Sequence, residues 1–375
     1  MGQRKRIGLI YNYYENWIAG TYYIENIILA LNTLADYQKP LFLIYVQNKA
    51  LFNQLKNKVN YPYLIYKSTS IKYNINENNI NKISQNSNSK FEFIFPNPDK
   101  DFFNRIDQNK KLYWIPDFQE DHLPYFFSNN EIIYRKNKQL ELAQCAKRIV
   151  LSSNDAYNDF VRLYPLSDAK IFILPFVVHK HLAKVDMELI KELMKKYDII
   201  SDFLLVPNQL WVHKNHKTVL YAVKNLAKEG SPIQIIFTGK EDDYRFPNYP
   251  SEIRQLVKEL GIQKQAKFIG FIPKDELENL ILAAKAIIQP SLFEGWSTVI
   301  EEAKRYNKFI IASDIPIHLE QLENYPNKDF FLKTDPLNLA EKLKALTNSE
   351  INVQEYNYDR DIEIFCQKFL NIFSD

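Results

Sequence analysis

The stretch Gln289–Ala303, QPSLFEGWSTVIEEA, decides how this chain is read. The run Ala286–Gln289 is predicted as a strand that stops at Pro290, Gly295 permits a tight turn, and Thr298–Tyr306 carries helical apolar spacing. A helix entered this way presents backbone N–H groups from Gly295 to Thr298 that have no intrahelical partner, an arrangement suited to a diphosphate. Glu294 stands before those amides and Glu302 about two helical turns beyond it. A carboxylate so close to phosphate would repel it, so both acids are assigned to accept hydrogen bonds from sugar hydroxyls. Glu301, between them in the pattern, is expected to face solvent.

The same alternation of short apolar runs and longer amphipathic ones extends in both directions. Downstream of residue 200 it gives strands at Phe203–Pro207, Ile233–Thr238, Lys267–Gly270, Ala286–Gln289 and Phe309–Ser313 with helices between them, which predicts a parallel sheet. Upstream, strands are expected at Arg6–Tyr11, Leu41–Val46, Tyr63–Tyr66, Phe91–Phe95, Leu112–Ile115, Arg148–Ser152 and Ile171–Pro175, a second doubly wound layer. The expected organisation is an N-terminal domain over 1–180, a charged helical linker over 181–200, a C-terminal domain over 201–352, and an amphipathic helix over 353–375 that packs back across the domains. Residues 72–90, dense in Asn and Ser, are expected to be a loose insertion. Only eight glycines occur, so each marks a turn or a close approach. Gly8 falls within the first strand, Gly20 ends the loop after it, and Gly239, Gly270 and Gly295 follow later strands, where open α/β sheets bind ligands.

The pattern E-x7-E, entered from a strand ending Pro-Ser and followed by Ala, resembles the signature of retaining GT-B glycosyltransferases of family four, the glycosyl transferases group 1. The resemblance covers most of the chain. It implies two Rossmann-like doubly wound domains facing a cleft, with a nucleotide-diphosphate sugar as co-substrate and no cofactor or metal. Glu302 would then hold the ribose, Glu294 the donor sugar, and the amides of Gly295, Trp296, Ser297 and Thr298 the diphosphate. Trp296 and Ser297 depart from the commoner Phe-Gly. The family usually places an Arg after the strand ending near Val206 and a Lys about six residues on; Lys214 matches the Lys, while Asn208 stands where the Arg would be. His213 or Lys217 is expected to compensate. Gly239 resembles the loop near the phosphates, with Lys240 beside it, and Phe271 and Ile272 the backbone segment that meets the base. In the N-terminal half, Asn16–Gly20 resembles the acceptor loop, with Ala19 for its first Gly. Asp117, Gln119 and His122 follow a strand and would orient acceptor or donor hydroxyls. Asp314 and His318 follow the strand after the E-x7-E helix, and helix capping explains Asp314 as well as a site role does.

Composition limits the alternatives. At 46% hydrophobic and 25% charged the chain can build two cores, and a net charge of +3 argues against a surface made for nucleic acid. Residues 1–100 hold twelve basic and six acidic side chains, which would suit peripheral contact with an anionic membrane face. No apolar run reaches membrane-span length and no signal peptide is read, so a cytoplasmic protein is expected. Cys145 and Cys366 lack metal or disulfide spacing and are expected to be buried packing residues. His213 and His216 have no third metal ligand nearby in sequence. Asp99/Asp101 and Asp359/Asp361 have metal-motif spacing but lie outside the nucleotide-binding half, and Asp242/Asp243 are adjacent. The leading expectation is a metal-independent retaining transferase, its leaving group stabilised by helix amides and Lys214, in cell-surface polysaccharide or lipopolysaccharide synthesis with a glycan or lipid-linked acceptor. A noncatalytic sugar-nucleotide binder and a nucleotide-sugar epimerase on the same fold are the alternatives.

Overall fold

The computed structural model describes residues 4–12, 18–69, 91–98, 103, 106–179, 186–230, 233–348 and 350–373. The insertion at 72–90, the pair Asp99/Asp101, His181 and the acceptor-loop residues Asn16 and Trp17 lie outside them. The chain divides into two compact units: Met1–Asp117 with Ile133–Lys180 and Asp359–Asp375, and Phe118–Ile132 with His181–Tyr358.

In the first unit, strands β1 (Arg6–Ile10), β2 (Leu41–Val46), β3 (Leu64–Ser68) and β4 (Phe93–Phe95) form a parallel sheet in the order β3-β2-β1-β4. Strands β5 (Tyr113–Ile115), β6 (Arg148–Leu151) and β7 (Lys170–Ile173) form a second parallel set, joined to β4 by a bridge between Ile94 and Lys111. Gly8 lies in the central strand, where a Cβ would stand 3.1 Å from Ile94 and 3.2 Å from Tyr45, so its absence lets neighbouring side chains close over β1. Gly20 is not a loop residue: it lies in the first turn of helix Ile18–Leu31, which buries the stripe Tyr23, Ile24, Ile27, Ile28 and Leu31. Helix Lys49–Val59, absent from the sequence-based expectation, is capped by Asn48, whose Oδ1 accepts from Leu51 N at 2.9 Å, and buries Phe52, Leu55 and Val59. The last helix begins at Asp359 rather than Val353, runs to Ile372, and belongs to this unit, with Phe369 set edge-on to Phe42. Cys366 on it is buried; Cys145 is exposed, because helix Asn129–Cys145 buries only Gln139 and Ala143 and Cys145 lies off that stripe.

The second unit contains β8 (Phe203–Val206), β9 (Gln234–Phe237), β10 (Ala266–Phe268), β11 (Ala286–Gln289), β12 (Ile310–Ser313) and β13 (Lys328–Phe331), all parallel, in the order β10-β9-β8-β11-β12-β13. Alternate strand residues feed opposite cores. Leu204, Val206, Ile235, Phe237 and Ile288 pack under helices His216–Lys228, Tyr249–Leu260 and Pro336–Thr347. Phe203, Leu205, Ile236, Ile287 and Ile310 pack under Met187–Lys196, Lys274–Ala283 and Thr298–Arg305. Consecutive strands lie side by side except where the order jumps from β8 to β11, and there the outgoing loops diverge to opposite faces of the sheet. This switch point is where such sheets open a crevice at their carboxyl edge. Among the described residues no helix is long and apolar enough to cross a membrane.

The loops at that edge are tightly packed. Gly239, at φ 149°, donates from its N–H to Gly270 O at 3.0 Å, and a Cβ on it would stand 2.3 Å from Asn208 O. Gly239→Ala therefore forces overlap with backbone that cannot yield, and we expect a loss of about 3 kcal/mol, or roughly 9 °C in the thermal midpoint. An unchanged midpoint in a melting scan would show that the loops are looser than described.

Candidate functional site

The two loops that leave the switch point are bound to each other by buried polar side chains. After β8, Asn208 is 2% exposed and its Nδ2 donates to Gln289 Oε1 at 2.8 Å, at the end of β11. Farther along, Leu292 N donates to His213 O at 2.8 Å. Asn215, in the left-handed region at φ 57°, donates from Nδ2 to Pro290 O at 3.0 Å and to Lys333 O at 2.7 Å, drawing the loop after β13 into the same junction. Asn tolerates that conformation, and it lets the chain turn from Lys214 directly into helix His216–Lys228.

At the centre, Lys214 Nζ lies 2.5 Å from Glu294 Oε1. The same oxygen accepts from Gln289 Nε2 at 2.9 Å and Ser291 Oγ at 2.6 Å. Oε2 has no such partner among the described residues and keeps its lone pairs for a ligand. Burial raises the Glu294 pKa, but the positive charge of Lys214 and the hydrogen bonds outweigh it and hold the carboxyl below its ordinary range. The carboxylate is therefore ionised at neutral pH and fixed in one rotamer, with Gln289 fixed in turn by Asn208.

Beyond Glu294, helix Thr298–Arg305 is capped by Ser297, whose Oγ accepts from Ile300 N at 3.4 Å. The N–H of Ser297 is not available to a ligand as expected, because it donates to Gln321 Oε1 at 3.1 Å. Those of Gly295, Trp296, Thr298 and Val299 have no hydrogen-bond acceptor among the described residues. Trp296 adds a buried indole N–H in the same condition. Glu302 is partly exposed, with Lys274 Nζ 3.9 Å from its Oε1. Glu301 is the clear correction: it is 1% exposed, and it accepts from Gln321 Nε2 at 2.7 Å, Lys304 Nζ at 3.3 Å and Tyr358 Oη at 2.6 Å. A helix whose outer face was expected at Glu301 instead buries that side beneath Tyr358.

His213 does not supply the charge that Asn208 lacks. It is 8% exposed, and burial, then the neighbouring Lys214 charge, lower its pKa to about 3. His216 is lowered to about 3 and His318 to about 4, in both cases chiefly by burial, so all three imidazoles are neutral at neutral pH. Lys217 points instead to Glu252, 3.6 Å away, and Lys240 to Asp242 at 3.3 Å. Arg245, which the sequence pattern did not single out, lies with its guanidinium 4.1 Å from the Phe127 ring and its Nε 3.3 Å from Glu131. Phe271 is 73% exposed at the end of the β10 loop, and Ile272 is buried in the core beneath it. Asp314 Oδ1 accepts from Lys333 N at 2.9 Å, a loop-bracing role.

The division between the units falls between Asp117 and Phe118. In the first unit Asp117 is ion-paired with Arg135 at 2.8 Å. In the second, Gln119 opens the short helix Gln119–His122, and the His122 ring lies 5.0 Å from that of Phe293, the residue before Glu294. The unforeseen members of the site are Gln289, Ser291, Asn215 and Gln321. For Gln289 and Ser291 a signal existed, since each flanks the strand end at Pro290 where polar side chains face the crevice.

Comparison with known proteins fits this geometry. Residues 190–360 match the family described as glycosyl transferases group 1. The O-antigen chain mannosyltransferase RfbU of Salmonella typhimurium is 25% identical over 215 residues, a match that spans 56% of this chain and 55% of that relative's length. Among solved structures, Anabaena Alr3699/HepE in complex with UDP and glucose superposes with a TM-score of 0.69 at 15% identity, covering all of both chains. A glycosyltransferase from Rickettsia africae gives 0.66 at 17% identity, covering 100% of this chain and 95% of that one. The chain has the GT-B fold.

The ion pair makes a prediction about stability. Lys214→Met leaves Glu294 buried without its cation, and at neutral pH we expect a loss of about 3 kcal/mol. In the parent the depressed pKa of Glu294 contributes stability above its ordinary value of 4.5, and that contribution is lost as pH falls through the folded pKa. In the variant the acid instead protonates readily. The stability gap between the two should therefore close as pH is lowered from about 7 to about 4, as followed by denaturant titration. A gap independent of pH would mean that Glu294 is not the partner that Lys214 stabilises.

Proposed function

We propose that this chain, whose residues 190–360 match the glycosyl transferases group 1, is a retaining glycosyltransferase that moves a sugar from a nucleotide-diphosphate donor to an acceptor hydroxyl. The observation that carries the proposal is the junction at the switch point, where an ionised Glu294, Lys214 and the open N-terminus of helix Thr298–Arg305 converge. The amides and Lys214 offer positive potential to the leaving diphosphate, which lowers the cost of the charge that develops as the glycosidic bond breaks. Lys214 exchanges Glu294 for phosphate as donor binds. The free Oε2 of Glu294 accepts from donor-sugar hydroxyls, and Glu302 from the ribose, with Lys274 holding its charge nearby. Phe271 and Ile272 lie at the base end of this line. No metal is assigned a step; the diphosphate itself takes the acceptor proton as the acceptor attacks from the same face.

The acceptor is a glycan or lipid-linked sugar in cell-surface polysaccharide synthesis, a reading supported by the likeness to an O-antigen mannosyltransferase. The chain would act in the cytoplasm, at the inner face of the membrane, with the basic excess of residues 1–100 favouring that surface. A noncatalytic binder is the second reading, favoured by one feature: Asn208 stands in place of a cation and gives its side-chain amide to Gln289.

Incubation with UDP-, GDP-, ADP- and TDP-sugars, chelator present, should release nucleoside diphosphate from one donor, and Glu302→Ala should slow that release by at least about tenfold. Tight binding of a donor without release, acceptor glycans included, would favour the binder. Release that stops on chelation would contradict the metal-independent step.

A further inference from the structure

Gln321 is the last residue of helix Pro316–Gln321, two elements away from the diphosphate loop in sequence, yet its side chain is 5% exposed and wholly spent on that loop. Its Oε1 accepts from Ser297 N at 3.1 Å, and its Nε2 donates to Ser297 O at 2.8 Å and to Glu301 Oε1 at 2.7 Å. The orientation of the amide is unambiguous, since the reverse would set its oxygen against a carbonyl and a carboxylate. Glu301 is itself held by Lys304 and by Tyr358, so the amide cannot turn. Gln321 thus pairs with both backbone polar groups of Ser297 and braces the peptide planes on either side of it, its 2.8 Å bond to Ser297 O being shorter than the 3.3 Å intrahelical bond that the same oxygen accepts from Glu301 N. In a trans peptide C=O and N–H point in opposite directions. With Ser297 O directed at Gln321, the N–H of Thr298 in that same plane is directed away from Gln321, out of the packed interior and toward the open end of the helix.

We infer that Gln321 is a positioning residue that aims the Thr298 N–H at the donor diphosphate, acting through the backbone of Ser297 and without touching the ligand. The inference rests on the proposed donor site and adds to it the device that holds one of its amides in place. The buried acid of the E-x7-E segment, Glu301, then anchors the aiming amide, which accounts for a carboxylate where a solvated one was expected.

Two substitutions separate aim from mere packing. Gln321→Met keeps the length of the side chain and removes every hydrogen bond. Thr298→Pro removes the N–H together with the side-chain hydroxyl, so its effect is scored relative to Thr298→Val, which removes the hydroxyl and keeps the N–H: proline is accepted at the first position of a helix, and Ser297, at φ −81° and ψ 113°, already has the backbone a residue before proline requires. Calorimetric titration with UDP, GDP, ADP and TDP, each beside its monophosphate, identifies the nucleotide that the parent binds. Each substitution should weaken the diphosphate by about tenfold, the scale of one charge-assisted hydrogen bond, and change the monophosphate by less than about twofold. The double variant should be no weaker than either single one. Parallel loss of diphosphate and monophosphate in Gln321→Met, full additivity in the double variant, or a Thr298→Pro chain that binds diphosphate as Thr298→Val does would each overturn the inference. A parent that binds no nucleoside diphosphate would overturn the glycosyltransferase reading and this inference together.

Discussion

The Lys214–Glu294 ion pair is the interaction on which the candidate site depends, and it exists because of the strand order. With the sheet running β10-β9-β8-β11-β12-β13, the loops after β8 and β11 leave adjacent strands and pass to opposite faces. Each therefore ends beside the other with polar groups that only the other can satisfy. Asn208 joins the loops through Gln289, Asn215 through Pro290, and Lys214 through Glu294, whose carboxylate also takes the Gln289 amide. Neither charge could be held so far from water alone, and each is the condition for the other.

This arrangement gives the site an electrostatic bias before any ligand arrives. Lys214 is neutralised by an acid that has a second oxygen free, while the helix beyond Glu294 presents its open amides without a counter-charge. An incoming diphosphate can therefore take over Lys214, and a sugar can take up the carboxylate, without rebuilding the loops. The buried histidines contribute shape and no charge. His318 Nδ1 lies 3.0 Å from Ser313 O, and Ser313 Oγ donates to Ser291 O at 2.6 Å, so the neutral ring backs the strand end that carries Ser291. Protonation of the three rings below their ordinary range near 6.5 would occur first in the unfolded chain, which makes the domain sensitive to mild acid.

What the sequence could reveal follows from what is local. The period of apolar residues and the placement of Gly239, Gly270 and Gly295 made the parallel α/β alternation legible, and the spacing of Glu294 and Glu302 marked the loop and helix of the candidate site. The helix at Lys49–Val59 escaped notice because only Phe52, Leu55 and Val59 form its buried stripe, a faint signal among polar residues. Strand β13 escaped because Lys328–Phe331 is four residues long and half-exposed. Partners distant in sequence were not legible at all. Nothing in Glu301 or Gln321 taken alone indicates that they meet, and the exposure expected of Glu301 was an inference from its charge, which burial beneath Tyr358 reverses. The neutrality of His213 likewise depends on a fold that encloses it, not on its neighbours in the chain.

The most direct test of the central claim is a crystal structure of the chain with its nucleoside diphosphate bound. The account requires the β-phosphate within hydrogen-bond distance of Lys214 Nζ and of the Thr298 N–H, with Glu302 on the ribose and Lys214 no longer on Glu294. A nucleotide bound elsewhere in the second unit, with the Lys214–Glu294 pair intact, would contradict it.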